Sequence, residues 1–400
     1  MLIALALIFA RVLGYLFHRL KQPAVIGEIT AGIILGGIAC LIFSGKVFSI
    51  FNYDIVFSQI NYSTDEFRLI GEIGILFLLF ISGLEMRSSK LKKMEKVSTF
   101  VALGGVIVPL LLGFLSGILF DFSIHESIII GLILTATSVG VTVRTLMDLN
   151  VLDTDVSATI LGGAVIDDVL GIILLTFAIG IGSLSDALWI GIRIALFFFI
   201  FLYLGLKVID RILKLGMKIH LPKAFLSISL SILLLYSFFA DKAGIAGIIG
   251  AFVAGILIGK TVESRKIEED FKTIGYGFFI PIFFVWVGAL LWEGRIESIS
   301  SITEIGLFTI VIILFSVIGK IAGCGIAAKL GGLNNKESLQ VGVGMIPRME
   351  LALIIATAAV SRGLITGLHA HQILLTTVLM TIATTLIAPL LIKITFKNND

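Results

Sequence analysis

The sequence predicts an all-α polytopic membrane protein of about thirteen transmembrane helices. Three observations carry that expectation. The 400 residues are 58% hydrophobic and 14% charged, with a mean hydropathy of +1.11; a soluble domain carries about 25% charged residues. The apolar runs are about 20 residues long, enough to cross a hydrocarbon core of about 30 Å at about 1.5 Å per residue. Lys and Arg gather in short clusters between those runs, as they do where loops meet lipid headgroups.

The remaining composition narrows the class further. Forty-two glycines beside six prolines fit helices packed closely in lipid. A net charge of +3 without a long basic tract gives no footing for nucleic acid. Cys40 and Cys324 lie inside apolar runs, so no disulfide framework is expected. The first run, Leu2 to Phe17, has no basic region ahead of it and no A-x-A cleavage pattern, and reads as a retained helix.

By run length the spans fall near 2–18, 23–43, 69–85, 98–119, 125–148, 156–181, 187–209, 222–240, 244–260, 272–292, 302–328, 337–361 and 370–393. Connections are short except for 44–68, so no inserted soluble domain is expected, and none is expected after Lys397. If the spans alternate, about 21 Lys and Arg lie on one side and about 5 on the other (Lys46, Arg68, Lys242, Arg295 and Arg362). The positive-inside rule then places the N-terminus outside and the C-terminus in the cytoplasm. Arg11, Arg193, Lys320, Arg348 and the pair Asp167-Asp168 fall within spans.

Spans 2 and 9 carry a faint repeat. Gly27, Ala31, Gly32 and Gly36 align at constant offset with Gly250, Ala254, Gly255 and Gly259. By alternation the two spans run in opposite directions, the inverted symmetry of secondary transporters. The same glycines would equally serve plain helix packing.

Asp167 and Asp168 are the most informative residues. They sit mid-span, where one charge costs about 2.5–3.5 kcal/mol on an insertion scale. Neighbours on a helix diverge by about 100°, so the two cannot share one partner squarely. One can face a cation site while the other meets a basic residue on an adjoining helix. Gly162, Gly163, Ala164 and Gly171 leave room for another backbone. A buried ion pair serving structure alone would explain one aspartate and not both. Lys320, flanked by Gly319 and Gly323 in span 11, is the natural counter-charge; the alternative is that it snorkels to the interface.

Two spans read as broken helices. Span 5 contains Thr135 to Thr142, too polar to face lipid, and span 12 contains Gly342, Gly344, Pro347, Arg348 and Glu350. Pro347 removes a donor and clashes with the carbonyl four residues back. Irregular backbone survives in a membrane only inside protein or beside water. These spans are again seven apart, as expected for a midplane site, and their oxygens suit a small hard cation.

Other candidates carry less. Glu28 and Glu72 read as locally satisfied, and His369 and His371 as external residues with no carboxylate cluster beside them. Asp148, Asp153 and Asp155 form an acidic loop that either attracts cations or is simply solvated.

The runs Gln22 to Glu28, Gly71 to Phe77, Thr135 to Thr142 and Ala164 to Gly171 resemble the cation:proton antiporter superfamily, most closely its NapA-type and Kef-like branch. The resemblance covers nearly the whole chain in the family's order. It implies an NhaA-like fold with inverted repeats and two crossed discontinuous helices, here spans 5 and 12. It also implies a homodimer in the plasma membrane that exchanges Na⁺ or Li⁺ for H⁺ by alternating access, with no cofactor. Residues 98–181 and 293–400 would form a mobile core, 1–97 and 222–292 a dimerisation domain, and 182–221 a linker. Asp168 matches the family's ion- and proton-carrying aspartate, Asp167 the one that pairs with a lysine, and Lys320 that lysine. Thr137 and Ser138 fall where oxygens of the crossed helices approach the ion. Arg348 and Glu350 match a Pro-Arg-x-Glu element, with Met349 where many relatives have glycine. The double aspartate resembles electrogenic members. A K⁺/H⁺ exchanger on the same scaffold is the alternative; an intramembrane aspartyl protease is remote, because it would carry its aspartates on different helices.

Overall fold

The computed structural model describes residues 1–42, 47–50, 53–56, 65–86, 88–178, 184–217, 223–261, 264–290 and 302–396. Lys46, Arg87, Lys218, Arg295 and Lys397 of the loop charges, and the side chains of Cys40 and Glu350, fall outside the described residues. In chain order the elements are α1 (Leu2–Arg19), α2 (Ala24–Ile42), β1 (Val47–Ile50), β2 (Tyr53–Val56), α3 (Asp65–Glu85), α4 (Ser88–Leu119), α5 (Ile124–Thr135), α6 (Val139–Asp148), α7 (Asp155–Ala178) and α8 (Leu184–Met217). There follow α9 (Ala224–Ala243), α10 (Gly247–Gly259), α11 (Ser264–Ile274), a π-helical turn (Gly275–Phe279), α12 (Ile280–Ala289), α13 (Ile302–Leu330), α14 (Asn335–Gly344), α15 (Glu350–Ser361) and α16 (Gly367–Phe396).

Nine helical stretches among the described residues are long and apolar enough to cross a membrane, or ten if the bent α8 counts as one span. Shorter apolar helices lie at 24–39, 247–259 and 351–360. The long connection after α2 holds an antiparallel hairpin, Val47 opposite Val56 and Ile50 opposite Tyr53, which run-length reading left without structure.

The chain divides into two units, Met1–Ile75 with Ile274–Ser300 and Leu76–Thr273 with Ser301–Asp400. In the first, α2 packs against α1 and α12. Arg11, placed within a span by the sequence, donates its guanidinium to the Tyr276 carbonyl in the π-helical turn, where the widened winding displaces backbone oxygens from the helix ladder.

In the second unit α4 packs on α5, α7 and α13, while α16 packs on α6, α13, α14 and α15. Phe100, Leu103, Ile107, Leu111, Leu115 and Ile118 are exposed at steps of three or four along α4. That spacing makes one apolar stripe, suited to lipid, and leaves the opposite face for protein. Between α5, α13, α15 and α16, Phe122, Ile133, Phe308, Ile355, Ile373 and Met380 form a hydrophobic core.

The repeated glycines do matching work in their own units. A Cβ on Gly27 would strike the Leu13 backbone of the preceding helix, and one on Gly250 the Tyr236 backbone of its own predecessor. Likewise Gly32 abuts Val285 and Gly288 on α12, and Gly255 abuts Phe80 and Gly83 on α3. Only a residue without Cβ lets the backbones approach this closely.

The acidic loop is neither a bare cation lure nor simply solvated. Arg144 pairs with Asp148 at 3.2 Å, Lys90 with Asp153 at 3.1 Å and Lys93 with Asp155 at 2.5 Å. For the two lysines the reason is the length of α4. Its apolar stretch begins near residue 98, yet the helix starts at Ser88 and carries Lys90 and Lys93 to the loop.

Candidate ion-binding site

Both interruptions fall where the polar and proline-containing stretches place them. Span 5 divides into α5, which starts on a Ser123/Glu126 capping box, and α6, whose N-cap is Ser138. Span 12 divides into α14, which starts on an Asn334/Glu337 capping box, and α15, whose N-cap is Met349. The two breaks meet. The Ser138 amide donates to the Pro347 carbonyl at 2.7 Å, and the Thr142 hydroxyl to the Gly344 carbonyl at 2.6 Å. Each break thus satisfies backbone groups that the other frees, as a buried interruption in lipid requires.

Arg348 secures the crossing from inside. Its side chain is wholly buried, with Nη1 donating to the Met345 and Ile346 carbonyls (3.2 and 2.7 Å) and Nη2 to the Ser316 carbonyl (3.0 Å). A cation on carbonyls at the C-terminal end of α14 also matches the helix dipole. Thr384 accepts from the Arg348 amide at 3.2 Å, and Thr385 donates to its carbonyl at 3.1 Å. Glu350 opens α15, but its side chain lies outside the described residues.

Helix α7 delivers the two aspartates, both buried. Lys320 Nζ lies 2.9 Å from Asp167 Oδ2, with side-chain exposures of 0% and 2%. This geometry excludes snorkelling for Lys320. The Thr137 hydroxyl donates to the same Oδ2 at 2.5 Å, tying the aspartate to the crossing, while Oδ1 has no hydrogen-bond partner among the described residues. Room for the lysine comes from glycine: a Cβ on Gly105 of α4 would sit 3.1 Å from Lys320 Nζ. Gly104 and Gly323 bring the α4 and α13 backbones together just beyond it.

Asp168 occupies the adjoining face of α7. Gly171 lies one turn on from both aspartates, and a Cβ there would lie 3.3 Å from Leu351 Cδ2, in the first turn of α15. Ser138, expected among the ion's oxygen ligands, is buried and donates its hydroxyl to Met349 Sδ at 3.2 Å. The arrangement therefore gathers two carboxylates, two hydroxyls, two buried cations and two helix breaks. Such a set can exchange a proton for a hard cation on a carboxylate, with hydroxyl and carbonyl oxygens completing the shell.

Several participants escaped the sequence reading. Thr384 and Thr385 belong to a buried run with Thr376, Thr377 and Thr381 on α16; hydroxyls three and four apart on an otherwise apolar helix were the available signal. His369 meets a single carboxylate rather than a cluster. Its Nδ1 is 3.0 Å from Glu126 Oε1, and its ring packs on Phe122 at 4.3 Å. Nothing in the order of residues brings positions 126 and 369 together. Glu72 pairs locally with Arg68 at 2.8 Å, and Glu28 is buried on α2.

The family model of transmembrane sodium/hydrogen exchangers matches residues 4–398. The chain is 35% identical over 361 residues to the "Probable Na(+)/H(+) antiporter GerT" of Bacillus cereus, covering 90% of each chain. It is 33% identical to the "Na(+)/H(+)-K(+) antiporter GerN" of the same organism, covering 100% of this chain and 96% of that one. Its fold matches the sodium proton antiporter MjNhaP1 from Methanocaldococcus jannaschii with a TM-score of 0.62 at 20% identity, over 99% of this chain and 97% of the other. A match of this extent, on a multi-pass fold with this buried site, assigns the chain to the sodium/hydrogen exchanger family, whose members are membrane transporters and not enzymes.

Proposed function

We propose that the protein exchanges Na⁺ or Li⁺ for H⁺ by alternating access, with Asp168 holding ion and proton in turn. The observation that carries the reading is the division of labour between neighbouring carboxylates. Asp167 is committed through Oδ2 to Lys320 and Thr137, and Asp168 is the next buried carboxylate on α7, about 100° round the helix. A carboxylate that binds either species, never both, couples their movements by competition. The double aspartate, which resembles that of electrogenic members of the superfamily, favours an electrogenic exchange, with the Asp167–Lys320 bridge as the second group able to change its charge.

In this reading residues 98–181 and 293–400 form the moving core. The mutual packing of α4 with α5, α7 and α13, and of α16 with α13 to α15, supports it. Residues 1–97 and 222–292 form the dimerisation domain of a homodimer, and 182–221 connect the two. Family membership favours a plasma-membrane protein, and the loop charges favour an N-terminus outside and a C-terminus in the cytoplasm. K⁺ in place of Na⁺ is the second reading, favoured by the cation in the name of the similar GerN.

The test is proton flux from vesicles reconstituted with the protein and challenged with Na⁺, Li⁺ or K⁺. Flux driven by Na⁺ or Li⁺ supports the reading, flux driven by K⁺ alone supports the second, and flux with none of the three removes both.

A further inference from the structure

We propose that Met349 is a positioning residue for cation selectivity, acting through the Ser138 hydroxyl; the proposal rests on the exchange reading above. Ser138 and Met349 are the N-caps of the two helices that restart after the breaks, and neither side chain caps its own helix. Instead they face each other across the crossing, Ser138 Oγ donating to Met349 Sδ at 3.2 Å with both residues 2% exposed.

A serine hydroxyl has one proton and two acceptor lone pairs. With its proton committed to sulfur, the Ser138 oxygen can act only as an acceptor. Thr137 is in the same condition, its proton being donated to Asp167. Two successive hydroxyls therefore present lone pairs and no proton, the polarity an alkali cation needs. The thioether takes the proton without competing for the ion, because soft sulfur is a poor ligand for a hard cation. An oxygen acceptor at this position would coordinate the ion itself. A hydrocarbon would leave the Ser138 proton to turn into the site and repel the charge.

The ion–dipole attraction so secured grows as ionic radius falls, so the Met349–Ser138 contact favours Li⁺ and Na⁺ over K⁺.

The experiment compares wild type, Met349→Leu, Ser138→Ala and the double variant in reconstituted vesicles, reading KM and maximal rate for Li⁺, Na⁺ and K⁺. Leucine keeps the volume of methionine and removes only the acceptor. Met349→Leu should raise KM for Na⁺ and Li⁺ about 3- to 10-fold, the range of one neutral hydrogen bond. KM for K⁺ should rise less, and the rise in KM for Na⁺ should exceed any fall in maximal rate. In the Ser138→Ala background the leucine substitution should add nothing further. Stabilisation by Na⁺ in detergent should weaken in parallel, a binding readout independent of turnover.

Unchanged KM values in Met349→Leu, an equal rise for all three ions, or a loss confined to maximal rate would each overturn the proposal and leave Met349 as packing. So would a leucine effect that persists at full size without Ser138. A wild type that moves protons with none of the cations fails in a different place: it removes the exchange reading, and this proposal with it.

Discussion

Lys320 and Asp167 meet at 2.9 Å across α13 and α7, both closed to solvent, 153 positions apart in the chain. Burying two charges is compensated only when geometry is good and the remaining valences are met. Thr137 meets one of them, and Gly105 provides the space. The bridge thus ties two helices, α7 and α13, to the crossing.

Removing one partner should therefore be expensive. Lys320→Gln leaves Asp167 as an uncompensated buried charge and should lower stability by about 3–5 kcal/mol. The double variant Lys320→Gln/Asp167→Asn should recover most of that loss. Thermal unfolding in detergent checks both. Current on a solid-supported membrane, set against vesicle proton flux, should show less charge moved per ion in the single variant. Wild-type stability together with a wild-type charge ratio would remove the bridge from the cycle.

Thr137→Val keeps the shape and deletes the donor to Asp167. A hydrogen bond to a charged group contributes about 1.5–3 kcal/mol, so a loss of that order is expected in the same thermal assay. Adding Thr137→Val to Asp167→Asn should cost clearly less than in the wild type, because the charged acceptor is gone.

Thr384 and Thr385 hold the amide and carbonyl of Arg348. Replacing both with valine leaves buried backbone groups short of partners, at about 1–3 kcal/mol for each. Stability should fall while Asp167, Asp168 and Lys320 remain intact, and the apparent KM for the ion should rise as the crossing loosens. Unaltered stability would mean that α16 does not support the crossing.

Orientation has its own check. With Cys40 and Cys324 replaced, a cysteine at Asn399 should resist impermeant reagents added outside intact cells. Ready labelling there would overturn the assignment of the C-terminus to the cytoplasm.

How much of this was legible in the sequence depended on how local each signal was. The breaks were legible because Pro347, the paired glycines and the Thr135–Thr142 run are local defects in otherwise apolar helices. That Lys320 meets one of the two aspartates was legible because so few charges lie within spans; that the partner is Asp167 was implied by the family resemblance. The reach of α4 to Ser88 was hidden, since its lysines look like loop residues until the helix is seen to continue through them. Contacts such as Glu126 with His369 and Ser138 with Met349 were hidden for a different reason. Each joins residues that are unremarkable alone and meet only because α5, α6, α15 and α16 pack together.

The central claim, that Asp168 carries ion and proton in turn, is tested most directly by Na⁺-driven proton flux in vesicles containing Asp168→Asn. Asparagine is neutral and similar in shape, so the fold should persist and thermal unfolding should show it. The account expects no exchange from this variant and no stabilisation by Na⁺, while Asp167→Asn still exchanges with an altered charge per ion. A folded Asp168→Asn protein that moves protons in response to Na⁺ at the wild-type rate would contradict it.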